Sequence, residues 1–145
     1  MRNILNKIKE RSKDLMDFRY TRKSFSQFGE DLIIEKALNI LKEKNISYLD
    51  IGANHPYLIS NSYYFYRKGA TGTLIEPDPL LYENLKKKRP YDNILNCGVG
   101  FDEKIKTAKL YIMDNPVLNT FSLEEAKRME KNTVYKIVKD INVEL

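Results

Sequence analysis

Two acidic side chains stand at the ends of two short apolar stretches, in positions that suit a nucleoside. Asp50 lies near the end of the stretch Ile46–Ile51, and Glu76 ends the stretch Thr71–Glu76. If both stretches are strands of one parallel sheet, their carboxyl ends meet at the edge where loop amides point outward and ligands bind. Asp50 offers a carboxylate to a cationic amine, Gly52 allows a sharp turn and close approach to the backbone, and Glu76 can accept both hydroxyls of a ribose.

Ligands that carry phosphate fit this sequence poorly. After Gly52 the chain continues Ala53-Asn54-His55-Pro56-Tyr57, without the further glycines of a dinucleotide-binding turn. No Gly-Lys-Ser/Thr follows the first strand, so a Walker-type phosphate loop is also missing. S-adenosylmethionine carries an amine, a sulfonium and a ribose but no phosphate. The residues alone therefore favour it, although Asp-x-Gly at a strand end is a short pattern.

The elements that must position these residues alternate along the chain. The apolar spacing, stop residues and glycines predict, in order, a helix from Glu30 that ends at Asn45, a strand Ile46–Ile51, a helix Ser60–Tyr66, a strand Thr71–Glu76, a helix Pro79–Arg89 and a strand Asn93–Cys97. Lys86–Arg89 would complement the dipole of their helix. The connections are long enough for right-handed crossovers, so this order predicts an α/β fold that is one half of a doubly wound parallel sheet.

The remaining residues give a less regular pattern. Lys106–Met113 is expected to be a fourth extended segment that pairs beside the third strand. Leu123–Lys131 is expected to be helical, and Val134–Leu145 is apolar at alternate positions.

Composition bounds the other possibilities. A chain of 145 residues with 42% apolar residues has the size of one domain. No apolar run is long enough to cross a bilayer or to form a signal peptide, which predicts a cytoplasmic protein. The single cysteine, Cys97, cannot form an internal disulfide, and no Cys/His cluster has the spacing of a zinc site, so no metal is expected.

The net charge of +5 comes from the first 23 residues, because residues 24–145 carry equal numbers of acidic and basic side chains. Apolar residues recur on one helical face of this leader at Ile4, Ile8, Leu15 and Met16. We therefore predict a basic amphipathic leader helix over residues 1–23 and a separate domain over 24–145. Residues 1–17 would either contact an anionic membrane surface or an acidic partner, or form a solvated helix on the domain. The neutral body argues against nucleic acid as a partner.

Several motifs, in order, resemble the FkbM-type methyltransferases. They are Ser26–Asp31, Leu49–Pro56, Ser60-Asn61, Leu74–Pro79, Asn96–Gly100, Asn119–Ser122 and Glu124–Ala126, and the resemblance covers roughly residues 24 to 141. That family is similar in fold to other class I, Rossmann-like methyltransferases. It typically transfers a methyl group from S-adenosylmethionine to a hydroxyl, often on a sugar or a polyketide.

The resemblance implies roles for individual residues. Asp50, Gly52, Ala53 and Asn54 would line the methionine end of the cofactor, and Glu76 would hold the ribose. The loop beside the adenine would be shaped by Pro77, Asp78 and Pro79, and the pocket would be closed from the side by Gln27, Glu30 and Asp31. Apart from the resemblance, His55, the only histidine, follows the turn closely enough to be a candidate catalytic base; against this, the family places other groups near the methyl, and a turn cap before Pro56 is the alternative. The aromatic residues from Tyr57 to Tyr66 would contact an acceptor or, as we favour, pack against the sheet.

The sequence departs from the family at its end. Family members continue into a fourth core strand with an Asp-x-Glu-Gly motif, and this chain stops before it. We therefore expect a domain truncated after its N-terminal half, whose first strand has an exposed edge prone to self-association. Two functions remain open: an O-methyltransferase that acts on a hydroxyl of a sugar, glycan or small metabolite, and a non-catalytic S-adenosylmethionine-binding remnant or one part of a split protein.

Overall fold

The structure, a computed structural model, describes residues 22–102 and 104–145. The predicted leader helix over residues 1–23, and the membrane contact expected through residues 1–17, therefore lie outside the described residues except for Arg22 and Lys23, which are not helical. Within the described ranges, each helix is too short or too polar to traverse a lipid bilayer.

The first part of the chain forms a parallel sheet flanked by helices. Its elements are α1 (Glu30–Leu41), β1 (Ser47–Ile51), α2 (Tyr63–Tyr66), β2 (Thr71–Ile75), α3 (Pro79–Lys88) and β3 (Asn93–Leu95). The three strands are parallel in the order β1-β2-β3, with Ile51 opposite Ile75 and Ile75 opposite Leu95. This arrangement confirms the predicted alternation of helices and strands. It is a partial Rossmann-like methyltransferase fold.

The middle strand carries the core of this sheet. Leu74 on β2 and Leu85 on α3 are completely buried, and they form one apolar cluster with Ala53. Tyr48 and Ile94, from the two outer strands, pack against that cluster. Among the described residues β1 has no strand on its outer side, and its side chains Leu49 and Ile51 are 62% and 58% exposed.

The second part of the chain forms a separate antiparallel pair. Its elements are β4 (Thr107–Met113), a 3-10 turn (Pro116–Leu118), α4 (Leu123–Asn132) and β5 (Ile137–Glu144). The expectation that the segment 106–113 pairs beside the third strand is wrong, because β4 pairs with β5 instead. A parallel neighbour needs a crossover, usually a helix, and the described residues of the connection, 96–102 and 104–106, form none. Alternating apolar residues on both strands instead bury one face of the pair, around Leu110 and Val143.

Candidate cofactor site at the strand tips

A tight turn after β1 ties the tips of the first two strands together. Gly52 has a φ of +73°, which suits glycine because it has no side chain to clash. The amides of Gly52 and Ala53 both donate to the Ile75 carbonyl, at 2.8 and 3.2 Å. Asn54 follows with a φ of +53°, a left-handed conformation that asparagine tolerates. The turn thereby points the Asn54 amide at the residue that ends β2.

That residue, Glu76, is a buried carboxylate held by the backbone. Its side chain accepts a hydrogen bond from the Asn54 amide at 2.7 Å and another from the Asp78 amide at 2.9 Å. Burial raises the pKa of Glu76 above its ordinary value, the two amides oppose that rise, and the nearby charges of Asp78 and Asp50 add to it. Each carboxylate oxygen accepts one of these bonds and has a further lone pair for a ligand.

Glu76 borders a cleft of about 280 Å³ that has two walls. The first wall, the sheet wall, comprises Gly52, Asn54, Leu58, Ile59, Glu76 and Pro77. We call the antiparallel unit of β4 and β5, whose strands are joined through a 3-10 turn and α4, the hairpin. The second wall, the hairpin wall, comes from this unit and comprises Leu110, Pro116, Val117, Asn119 and Phe121. Among the described residues, Glu76 is the one charged side chain in this lining, and no lysine or arginine contributes to it. The cleft therefore suits a ligand with donor groups, apolar surface and no phosphate.

Two asparagine side chains join the walls. Asn54 donates from Nδ2 to the Pro116 carbonyl at 3.1 Å. Asn119 donates from Nδ2 to Oδ2 of Asp78 at 3.0 Å and accepts at Oδ1 from the Met113 amide at 2.9 Å. The second wall is thus fixed to the first by side chains from distant parts of the sequence.

Asp50 lies beside the cleft rather than in its lining. Its Oδ2 accepts a hydrogen bond from the Ser62 hydroxyl at 2.6 Å. It borders a neighbouring depression of about 320 Å³ between β1, α1 and α2. Even so, its charge contributes, after burial and the charge of Asp78, to the raised pKa of Glu76. The two carboxylates therefore interact electrostatically while they face different hollows.

The other predicted cofactor residues divide by position. Gly52, Asn54, Glu76 and Pro77 line the cleft together. Ala53 is a core residue. Asp78 is buried and caps α3, where its Oδ1 accepts from the Leu80 amide at 2.9 Å; it borders the site through Asn119.

The motif before α1 does not line the cleft. The Gln27 side chain is exposed, and Glu30 accepts a hydrogen bond from the Phe28 amide at 2.8 Å. Asp31, which is completely buried, organises the segment, because its carboxylate accepts from the Phe25 amide and from the hydroxyls of Ser24 and Ser26. Burial alone would raise the pKa of Asp31, but these hydrogen bonds outweigh it and lower the pKa. The predicted role of Gln27 and Glu30 in closing the pocket stays a prediction.

His55 has a structural partner at one ring nitrogen. Its Nδ1 accepts from the amides of Leu58 at 3.0 Å and Tyr57 at 3.3 Å. Burial lowers the pKa of His55, which favours the neutral ring, and because Nδ1 accepts from two amides, the proton of the neutral ring lies on Nε2. This geometry favours the turn cap over the base. The catalytic role of His55 stays a prediction.

Sequence reasoning missed Ser62, Asn119 and Arg89. Arg89 was expected only as one of the cations at a helix C-terminus; it does follow α3 directly, but its side chain is completely buried. It pairs with Asp92 at 2.7 Å. Because three lysines directly precede Arg89, the sequence suggests one more exposed cation and not a buried ion pair. The polar partners of Ser62 and Asn119 lie 12 and 41 residues away in the sequence. No local spacing marks such contacts.

Comparison with known protein families identifies a match. The family model described as the methyltransferase FkbM domain matches residues 50–145, from the acidic end of β1 onward. The motif Ser26–Asp31 precedes the matched region. Neither the curated proteins nor the solved structures include a match to this chain. The family match covers well over half of the chain, and the protein therefore belongs to the FkbM methyltransferase family.

Proposed function

We propose that this protein is an S-adenosylmethionine-dependent O-methyltransferase that acts on a hydroxyl of a sugar, glycan or small metabolite. The observation that carries the proposal is the buried Glu76 carboxylate, which faces a cleft whose lining, as far as the structure describes it, includes no lysine or arginine. A pyrophosphate would meet an anion there and no counter-charge from these lining residues, whereas a sulfonium nucleoside is a cation that offers two ribose hydroxyls.

The residues at the cleft fit the parts of this cofactor. Glu76 would accept the ribose hydroxyls with the lone pairs that the two amides leave free. Apolar lining residues, among them Ile59, Val117 and Phe121, would cover the adenine. Asp50 would meet the amino group from the neighbouring depression. When bound, S-adenosylmethionine supplies an electrophilic methyl group on a sulfonium, and the protein's task is to align the acceptor oxygen and help remove its proton.

Glu76→Gln is the test of this assignment. The amide keeps the shape of the side chain but removes the charge, and one of its two polar groups donates instead of accepting. We expect S-adenosylmethionine to bind the variant more weakly by about 1.5–3 kcal/mol, the usual value for hydrogen bonds to a charged group, in a calorimetric titration. Glu83→Gln is the matched control, because Glu83 is exposed on α3. Equal dissociation constants for the two variants would remove Glu76 from the site.

One observation favours the alternative of a non-catalytic S-adenosylmethionine-binding protein. On the outer side of β1, next to Asp50, the described residues supply no strand, and Leu49 and Ile51 stay exposed. Among the described residues, an acceptor bound at that edge of the sheet would therefore meet no strand beyond β1. Release of S-adenosylhomocysteine in the presence of a panel of sugars and small alcohols separates the two functions, because only the enzyme turns the cofactor over.

A further inference from the structure

Arg89 is a completely buried cation that the proposed function does not use. Burying a charge is costly unless it is paired and hydrogen-bonded. Arg89 meets both conditions: its Nε donates to Oδ2 of Asp92 at 2.8 Å, and its guanidinium lies 4.3 Å from the centre of the Tyr66 ring. The ion pair with Asp92 alone would fix the end of α3 to the start of β3. The guanidinium has further donors, and these contact other segments.

Those donors reach the segment that follows β1. Nη1 donates to the Pro56 carbonyl at 3.0 Å, which holds the loop that carries Asn54 and His55. Nη2 donates to the Tyr48 hydroxyl at 3.0 Å and to the Ser62 hydroxyl at 3.3 Å. Because a guanidinium is planar and only donates, these contacts define the loop's position from one rigid group.

Ser62 passes this constraint to Asp50. A serine hydroxyl has one proton, and since Arg89 occupies a lone pair of Ser62, the proton is directed to Oδ2 of Asp50 at 2.6 Å. Ser62 is itself 4% exposed, so water competes little for this bond. The other oxygen of Asp50, Oδ1, accepts no hydrogen bond from the described residues and is available to a ligand. Arg89, Ser62 and Asp50 form a directed hydrogen-bond chain.

We propose that Arg89 and Ser62 are positioning residues that orient Asp50 toward the amino group of the cofactor. The proposal rests on the proposed function, in which Asp50 meets that amine. In this proposal the two strand ends bind different parts of the cofactor. Glu76 and the cleft bind the nucleoside, and the hydrogen bonds from Arg89 through Ser62 to Asp50 set the selectivity for the amino-acid portion.

Two probes separate these duties. S-adenosylmethionine has the amino-acid portion, whereas 5′-methylthioadenosine has the same nucleoside and lacks it. For Ser62→Ala in the full 145-residue chain, we expect S-adenosylmethionine to bind about tenfold more weakly and 5′-methylthioadenosine to bind unchanged. Ser60→Ala is the matched control, since Ser60 is 3% exposed in the same segment and its hydroxyl has only a long contact with Ser62, at 3.4 Å, and none with Asp50, so this variant keeps the 2.6 Å bond from Ser62 to Asp50.

Arg89→Lys provides a second variant if Ser62→Ala is poorly folded, which circular dichroism would reveal. Lysine keeps the charge beside Asp92 but cannot reproduce the planar fork of donors. The affinity for S-adenosylmethionine, relative to that for 5′-methylthioadenosine, should therefore again fall about tenfold. Equal weakening of both probes, or no weakening of either, overturns the proposal while the proposed function survives. Failure of the unmodified protein to bind either probe overturns the proposed function, and this inference with it.

Discussion

The two walls of the cleft are held by different kinds of contact. In the sheet wall, backbone amides make the connections: those of Gly52 and Ala53 reach Ile75, and those of Asn54 and Asp78 reach Glu76. In the hairpin wall, side chains make them, through Asn54 to Pro116 and Asn119 to Asp78. The backbone donors of the sheet wall are placed by the strand order, whereas the side-chain donors of the hairpin wall depend on two particular residues, Asn54 and Asn119. The sheet wall should therefore persist unless the fold fails, and the hairpin wall should be removable by itself.

The buried ion pair between Arg89 and Asp92 stabilises the sheet that carries the sheet wall. Asp92 accepts from Arg89, from the Tyr48 hydroxyl at 2.7 Å and from the Gly72 amide at 2.9 Å, so it joins all three strands with α3. Gly72 is required there, because a Cβ at this position would lie 2.2 Å from the Tyr48 carbonyl oxygen. The hairpin has an exposed ion pair instead of a buried one. Lys109 and Asp140 are 2.9 Å apart, and both side chains are about half exposed.

Breaking the buried pair should have the largest effect. We expect Asp92→Ala to lower the free energy of unfolding by about 3–5 kcal/mol, because it leaves Arg89 as an uncompensated buried charge. Urea denaturation measures this loss. The matched control is Asp140→Ala, which breaks the exposed pair of the hairpin and should leave stability nearly unchanged because water screens that pair.

A double variant sharpens the result. Arg89→Met combined with Asp92→Ala removes both charges, and it should be more stable than Asp92→Ala alone, since no buried charge is left without a partner. A loss for Asp140→Ala as large as that for Asp92→Ala would contradict the contrast between the two regions.

Removing the side-chain link should have a smaller and more local effect. Asn119→Ala leaves the Asp78 carboxylate and the Met113 amide without one partner each, and we expect stability to fall by about 1–3 kcal/mol. The affinity for S-adenosylmethionine should fall too, because the hairpin wall loses its hold on the sheet wall. Calorimetric titration and hydrogen exchange of β4 measure both effects. Asn142→Ala is the control, since Asn142 is exposed on β5, and an equal effect there would refute a specific link.

The same contrast explains what could be predicted from the sequence. The apolar stretches around Asp50 and Glu76, with their stop residues, predict the parallel strands, and strand order alone brings the turn at Gly52 to Glu76. The position of the segment 106–113 was predicted wrongly, because a strand's partner depends on burial of a whole face and not on local spacing. Asn119 could not be found, since its partner Asp78 is brought to it by tertiary packing. Asp92 is only three residues from Arg89, but nothing in that spacing shows that the Arg89 side chain is buried.

The pH dependence of cofactor binding is the subtlest test of the sheet wall. Burial raises the pKa of Glu76 above 4.5, so as the pH falls from about 7 the folded protein takes up this proton before the unfolded chain does. The unliganded protein should therefore gain stability from Glu76 as the pH falls through the interval between the raised pKa and 4.5. Cofactor binding should change in the opposite direction, because protonation removes the charge and one acceptor site from the ribose hydroxyls. We expect the affinity for S-adenosylmethionine to decline with pH in the unmodified protein, and this component of the decline to be absent in Glu76→Gln. Parallel pH profiles for the two proteins would show that the carboxylate at the end of β2 does not hold the ligand, whatever the rest of the cleft contributes.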